Sequence, residues 1–267
     1  MLSKLRSVLR TIDSEYCVIC GDDDFIVPNA MDRCVEFLEI NPDYAVAHGH
    51  LRSVFPLELK KRYRTRLWTC QRAQRTIDSP WPRIRLEEHL SSCEATFYSV
   101  HRRSQLTAII EAAVSKTRDH VLGELLPTCL TAIRGKVKRL DVLYGVRPYN
   151  PQSISSRTKL SWPTLLTAND FSSFRDCLVE ELVRVANISA EESISIANGA
   201  FIVYLSDSLC SMRRYLVRQR SSSLERKAQY AWKMMRALRA TAGSAFLRGA
   251  AARTHSLSSR IRSPASP

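Results

Sequence analysis

Tyr16-Cys-Val-Ile-Cys20-Gly-Asp-Asp-Asp24-Phe-Ile-Val-Pro28-Asn-Ala-Met-Asp-Arg-Cys-Val-Glu-Phe-Leu-Glu-Ile40-Asn-Pro-Asp-Tyr44 is the stretch on which the reading of the fold turns. Residues 16–20 form a short continuous apolar run, as expected of a strand covered on both faces. Three carboxylates follow it without interruption. Pro28-Asn29 then opens a helix whose apolar stripe is Met31, Cys34, Val35 and Leu38, with Asn29 as the expected N-cap. Asn41-Pro42-Asp43 stops that helix, and Tyr44 to His48 reads as a second buried strand. Strand, helix and strand at this spacing predict a βαβ unit in a parallel sheet.

Outward from this unit, Leu2, Leu5, Val8, Leu9 and Ile12 recur at helical spacing ahead of it. Residues 51–95 are polar, rich in Arg and Trp, and are expected to be loops and short elements. Ala95 to Val100 reads as a strand, Gln105 to Ser115 and Leu122 to Ile133 as helices, and Val137 to Val146 as a strand leading to Arg147. Pro151 to Arg157 reads as a linker, followed by helices over Asp170 to Asn187 and Glu191 to Leu209. The expected division is 1–150 for the α/β domain, 151–210 for a helical region and 211–267 for a basic Arg/Ser-rich tail. Within that tail Ser221 to Leu247 is an expected amphipathic helix, with disorder beyond it.

The chain has 267 residues, 45% of them hydrophobic, which excludes a wholly disordered protein. Its formal charge of +14 is unevenly placed. Residues 211–267 carry 13 Lys/Arg against one acid, Glu225, so the body is nearly neutral. No apolar run approaches the roughly 20 residues that span a bilayer. The N-terminus has no apolar signal core, so the chain is expected in the cytoplasm with its eight cysteines reduced. Cys17-x-x-Cys20 has the spacing of zinc and redox sites, but no second pair exists, and buried structural thiols are the favoured reading. His48-Gly-His50 lacks matched metal-ligand partners.

Three adjacent carboxylates repel one another, and a fold that concentrates them usually neutralises them with a cation. In open sheets ligands bind beyond the carboxyl ends of strands, where Asp22, Asp23 and Asp24 fall. The alternative is a solvated acidic turn before the next helix.

The stretch from Tyr16 to Tyr44 resembles the Asp-x-Asp region of family 2-like glycosyltransferases with a GT-A fold. There too an apolar strand meets an acidic motif, a Pro, a helix and Asn-Pro-Asp in that order. The resemblance implies a partial GT-A-like (Rossmann-like) α/β fold, with a mostly parallel sheet, flanking helices and a C-terminal helical region. It implies that Asp22 and Asp24 hold Mn²⁺ or Mg²⁺ against the diphosphate of a nucleotide-sugar. Aligned on Pro28, the matched carboxylates are instead Asp22 and Asp23. Glu124 to Gly135 is similar to the family segment in which an acid precedes a helix ending at Gly. By that resemblance Glu124 is the catalytic base of an inverting transfer, with Asp119 as runner-up. Arg147 would reach the diphosphate, or else form a surface ion pair. Only 21 residues precede Asp22, so the chain is expected to lack the family's first nucleotide-binding strands, which puts the activity of this chain in question.

The expected partners are therefore a nucleotide-sugar donor and a saccharide or other hydroxyl acceptor. The basic tail is read first as solvated and disordered, then as a peripheral contact with an anionic membrane surface, and nucleic acid is the least favoured partner. A second class of function stays open: a non-catalytic basic protein that binds nucleic acid or membrane through this tail.

Overall fold

The computed structural model describes residues 1–59, 62–69, 75–92, 96–117, 120–148 and 169–218. Its elements are α1 (Leu2–Leu9), β1 (Tyr16–Val18), β2 (Phe25–Ile26), α2 (Pro28–Ile40), β3 (Tyr44–Leu59), β4 (Arg62–Thr69) and α3 (Pro82–Ser92). A 3₁₀ turn (Thr96–Tyr98) then leads into β5 (Val100–Arg102), α4 (Arg103–Val114), α5 (His120–Arg134) and β6 (Lys136–Pro148). Last come α6 (Asn169–Ala186) and α7 (Ala190–Arg218). The expected linker over 151–157, the amphipathic helix over 221–247 and Asp119 lie outside the described residues.

The protein is α/β, and its sheet is mixed rather than mostly parallel. The strands run in the order β1-β5-β3-β6-β2, with β4 attached to β3. Of these pairings only β3 with β6 is parallel. The expected strand–helix–strand unit exists, but its two strands are not neighbours. β5 lies between them, antiparallel to both, placing Tyr16 opposite Arg102 and Val46 opposite His101. The expected strand over 95–100 is mostly the 3₁₀ turn, and its ladder begins only at Val100. The region read as loops holds the β3–β4 hairpin and α3.

α2 begins at Pro28 in the first helical position, behind Val27 and not Asn29 as N-cap. Proline fits there because the first N–H groups of a helix have no intrahelical partner. Asn41 ends the helix, its side-chain amide donating to the Phe37 carbonyl at 2.7 Å.

The sheet lies between two cores, as the alternation of β1 makes plain. Tyr16 and Val18 pack with α2, where Ala30, Cys34 and Leu38 meet Ala47, Leu51, Val100 and Tyr144. Cys17 and Ile19 point the other way, into a larger core shared by α1, α3, α4, α5, α6 and α7. Period 2 in the strand delivers successive side chains to opposite faces. The helical region therefore packs into the same core as the helices before it. Phe171, Phe174 and Phe201 cluster there, with Phe174 fully buried. Fully burying a side chain of that size is worth about 1.5–3 kcal/mol.

β3 and β6 come unusually close at Gly49. A Cβ there would lie 2.4 Å from the Val142 carbonyl oxygen, so only glycine permits the approach. Cys17, Cys20, Cys34, Cys129 and Cys177 form no disulfide among the described residues, and Cys20 is exposed rather than buried. Among the described residues no helix is long and apolar enough to cross a membrane.

Candidate functional site

The acidic turn is held at the far edge of the sheet by β2. Phe25 pairs with Val146 and Ile26 with Gly145 in antiparallel register, and Val27 N–H continues the ladder to the Tyr144 carbonyl at 2.8 Å. Extending that register by one residue sets Asp24 opposite Arg147. Directly opposed side chains on one face of an antiparallel pair interact, and these two do so with both donors of the fork. Arg147 Nε donates to Asp24 Oδ1 at 2.9 Å and Nη2 to Oδ2 at 2.7 Å. The Asp24 side chain is 8% exposed and Arg147's is 39% exposed. Bidentate pairing of this kind fixes orientation as well as charge.

Tyr98 forms the floor beneath the guanidinium. The Arg147 guanidinium carbon lies 4.4 Å from the centre of the Tyr98 ring, a cation–π distance. The 3₁₀ turn carrying Tyr98 is anchored from β6 as well, because the buried Tyr144 hydroxyl donates to the Tyr98 carbonyl at 2.9 Å. Burial pushes the Tyr98 phenol up to about 12; the nearby Glu124 carboxylate adds to the rise and Arg147 opposes it. Glu124 therefore acts electrostatically on the phenol whose ring supports Arg147.

Glu124 stands inside α5, not in front of it. Leu122, Leu125 and Leu126 on either side are buried and fix the helix face that presents it. Pro127, also inside α5, has no N–H to offer the turn that carries Glu124. Gly135 follows the helix end, its N–H donating to the Thr131 carbonyl at 3.0 Å.

Asp22 and Asp23 are exposed on the turn, which closes with Asp24 N–H donating to the Gly21 carbonyl at 3.1 Å. Their influence meets at Cys20. Burial raises the pKa of that thiol; Asp24, Asp22 and Asp23 reinforce the rise while Arg147 opposes it. Four charged groups thus surround one strand end.

A Cβ built on Gly21 would sit 3.0 Å from Asp24 Oδ2, so the missing side chain lets the Asp24 carboxylate lie close against the turn. Among the described residues no group of three or more His, Cys, Asp or Glu side chains is gathered for a metal. A Mg²⁺-type ion needs one or two carboxylates when substrate phosphates complete its shell. The carboxylates of the turn are hard donors of the kind such an ion takes, and both oxygens of Asp24 are held by Arg147.

Of the residues singled out from sequence, the structure joins Asp24 and Arg147 over the Tyr98 ring, with Asp22 and Asp23 on the same turn, while Glu124 on α5 acts on the Tyr98 phenol through its charge. Tyr98 itself was missed. Its strand-like surroundings gave no functional signal, and its role rests on a cation–π contact across 49 residues of chain. Fold and site together define an α/β protein with a charged turn at a sheet edge. Comparison with protein families finds none that matches this chain. Comparison with curated proteins likewise finds no match.

Proposed function

We propose that this chain is a metal-dependent glycosyltransferase that moves a sugar from a nucleotide-sugar to an acceptor hydroxyl. The observation that carries this reading is the forked pairing of Asp24 with Arg147, 123 residues apart in sequence, over the Tyr98 ring, whose phenol also feels the Glu124 charge. A carboxylate pair, a cation and a separate carboxylate are the three functions such a transfer requires. In fold terms we read the mixed sheet and its helical layers as a partial GT-A-like core.

A bound Mn²⁺ or Mg²⁺ would supply positive charge for the departing diphosphate. The chain's own residues do the rest. Asp22 and Asp24, with Asp23 between them, hold negative charge at the strand end. Arg147 offers its guanidinium to phosphate oxygens, and Tyr98 keeps that planar group oriented. Glu124 accepts the proton of the acceptor hydroxyl as its oxygen bonds to the anomeric carbon. The bond from that carbon to the diphosphate oxygen breaks, and the diphosphate leaves with the electron pair. A single base working opposite the leaving group corresponds to inversion. The acceptor is a saccharide or another hydroxyl compound, and residues 211–267 supply the charge for contact with an anionic membrane surface.

Nucleoside diphosphate with Mn²⁺, both millimolar, is expected to raise the melting temperature. A ligand at a hundred times its Kd adds about 2.7 kcal/mol, and for a chain of this size each kcal/mol moves Tm by about 2–4 °C. Asp24→Ala is expected to remove the shift. Absence of any shift in the wild type, with the fold intact, would count against the reading.

A further inference from the structure

The β3–β4 hairpin carries a pattern that the candidate site does not use. Pro148, the last residue of β6, lies in register with Val54 of β3. Beyond that level β3 keeps only β4 among the described strands, so residues 55–59 paired with 62–66 leave the sheet as a two-stranded ribbon. Its register sets Phe55 opposite Arg66, Leu57 opposite Arg64 and Leu59 opposite Arg62. Opposed residues share a face, and so do alternate residues along each strand. One face of the ribbon therefore holds an apolar row beside an arginine row, and Trp68 continues that face towards the sheet. Lys60 and Lys61 join the two strands in sequence. The one acid of residues 53–68, Glu58, falls on the opposite face, across from Tyr63.

We propose that this ribbon is a membrane-docking element, which lays the face of Arg62, Arg64 and Arg66 on a bilayer of anionic phospholipid. Neither of the ordinary surroundings suits that face. Water gains nothing from a contiguous apolar row, and a protein core does not take three arginines in succession. Charge that blunts an edge strand against mispairing accounts for the arginines of β4. It does not account for Phe55, Leu57 and Leu59 beside them on β3. The interface of an anionic bilayer takes both rows, because apolar groups sink to the acyl boundary while cations stay at the phosphates. Arginine suits the second part, since its planar fork meets phosphate oxygens with two parallel bonds. A nucleic acid would want polar groups for its phosphates, sugars and base edges where this ribbon has phenylalanine and leucine.

This contact belongs to the sheet and is separate from the one proposed for residues 211–267. It also stands without the transfer reaction. Ser53, at the root of the ribbon, is in register with Trp68 on β4 and with Arg147 on β6. A bilayer under the ribbon thus meets the same end of the sheet as Arg147.

The test is sedimentation of the full chain with vesicles of phosphatidylglycerol and phosphatidylcholine in equal parts, beside vesicles of phosphatidylcholine alone. The wild type is expected to sediment with the anionic vesicles and not with the neutral ones. A basic residue at an anionic surface contributes about fivefold in affinity, so Arg62→Gln, Arg64→Gln and Arg66→Gln together should weaken binding on the order of a hundredfold. Arg213→Gln, Arg214→Gln and Arg218→Gln in α7 remove the same charge elsewhere and should weaken it far less. A wild-type measurement guards against a variant that fails to fold: anionic vesicles should slow amide hydrogen exchange across residues 55–66. Equal losses in the two triple variants, or exchange at 55–66 unchanged by vesicles, overturns the proposal. Vesicle binding that survives the Arg62, Arg64 and Arg66 substitutions while binding to duplex DNA is lost overturns it in favour of nucleic acid.

Discussion

Lowering the pH from 7 towards 4 is expected to cost this protein most of its stability, through three histidines that have no room for charge. His48 in β3, His89 in α3 and His101 in β5 are 0%, 0% and 3% exposed. Burial lowers each imidazole to about 4. Arg139 and His50 push His48 further in the same direction, against the bond to the Gly49 carbonyl. His89 shares a hydrogen bond with Thr128 Oγ1 at 2.9 Å. In the unfolded chain the same rings titrate near the ordinary value of about 6.5, so between about 4 and 6.5 the unfolded state binds more protons than the folded one. The stability these neutral rings contribute is complete above the unfolded value and is lost as the pH falls towards the folded one. Each contributes a slope of up to about 1.4 kcal/mol per pH unit in that window. Denaturant midpoints measured from pH 7.5 to 4.5 should fall steadily, and His89→Gln should make the fall shallower. A midpoint that stays constant across the window would show that these rings are not held neutral.

Glu124→Gln is expected to lower the rate of sugar transfer by about 10²- to 10⁴-fold, the usual contribution of a positioned base. Glutamine keeps the shape of the side chain but cannot accept the acceptor's proton. Because Glu124 projects from a helix pinned by buried Leu122, Leu125 and Leu126, the substitution should leave the fold intact. It should also leave the response to Mn²⁺ and nucleoside diphosphate intact, since on the proposed reading those ligands are held by the aspartates of the 22–24 turn and Arg147. That split between lost turnover and retained binding is what marks a base. Asp119→Asn is the natural comparison, as Asp119 is the other acid near the start of α5. Turnover within a few-fold of wild type for Glu124→Gln would move the role to another residue.

The sequence carried the elements better than their assembly. The run from Tyr16, the stop at Asn41-Pro42-Asp43 and the buried strand from Tyr44 are local patterns, and the structure reproduces them. What local pattern does not encode is that three residues, Val100 to Arg102, insert antiparallel between the two strands. α3 was hidden for a different reason. Arg85 and His89 look like solvated residues, yet both are buried. Arg85 Nε and Nη2 donate to the Ala132 and Ile133 carbonyls at 2.7 and 2.6 Å, satisfying the end of α5. A polar residue that caps a distant helix breaks the apolar stripe by which helices are read.

The site divides in the same way. The carboxylates were legible because three in a row after an apolar strand demand neutralisation. The group that neutralises Asp24 in the structure is Arg147, 123 residues away, and pairing at that range is set by the register of β2 on β6. Tyr98 had no local mark at all, since its part depends on a contact with Arg147, 49 residues further along the chain.

The most direct measurement is the anomalous scattering of Mn²⁺ in crystals soaked with a nucleoside diphosphate. The expected result is one strong peak at the carboxylates of the 22–24 turn, with diphosphate oxygens against Arg147. A diphosphate bound elsewhere, or a metal that ignores Asp24, would contradict the proposed site.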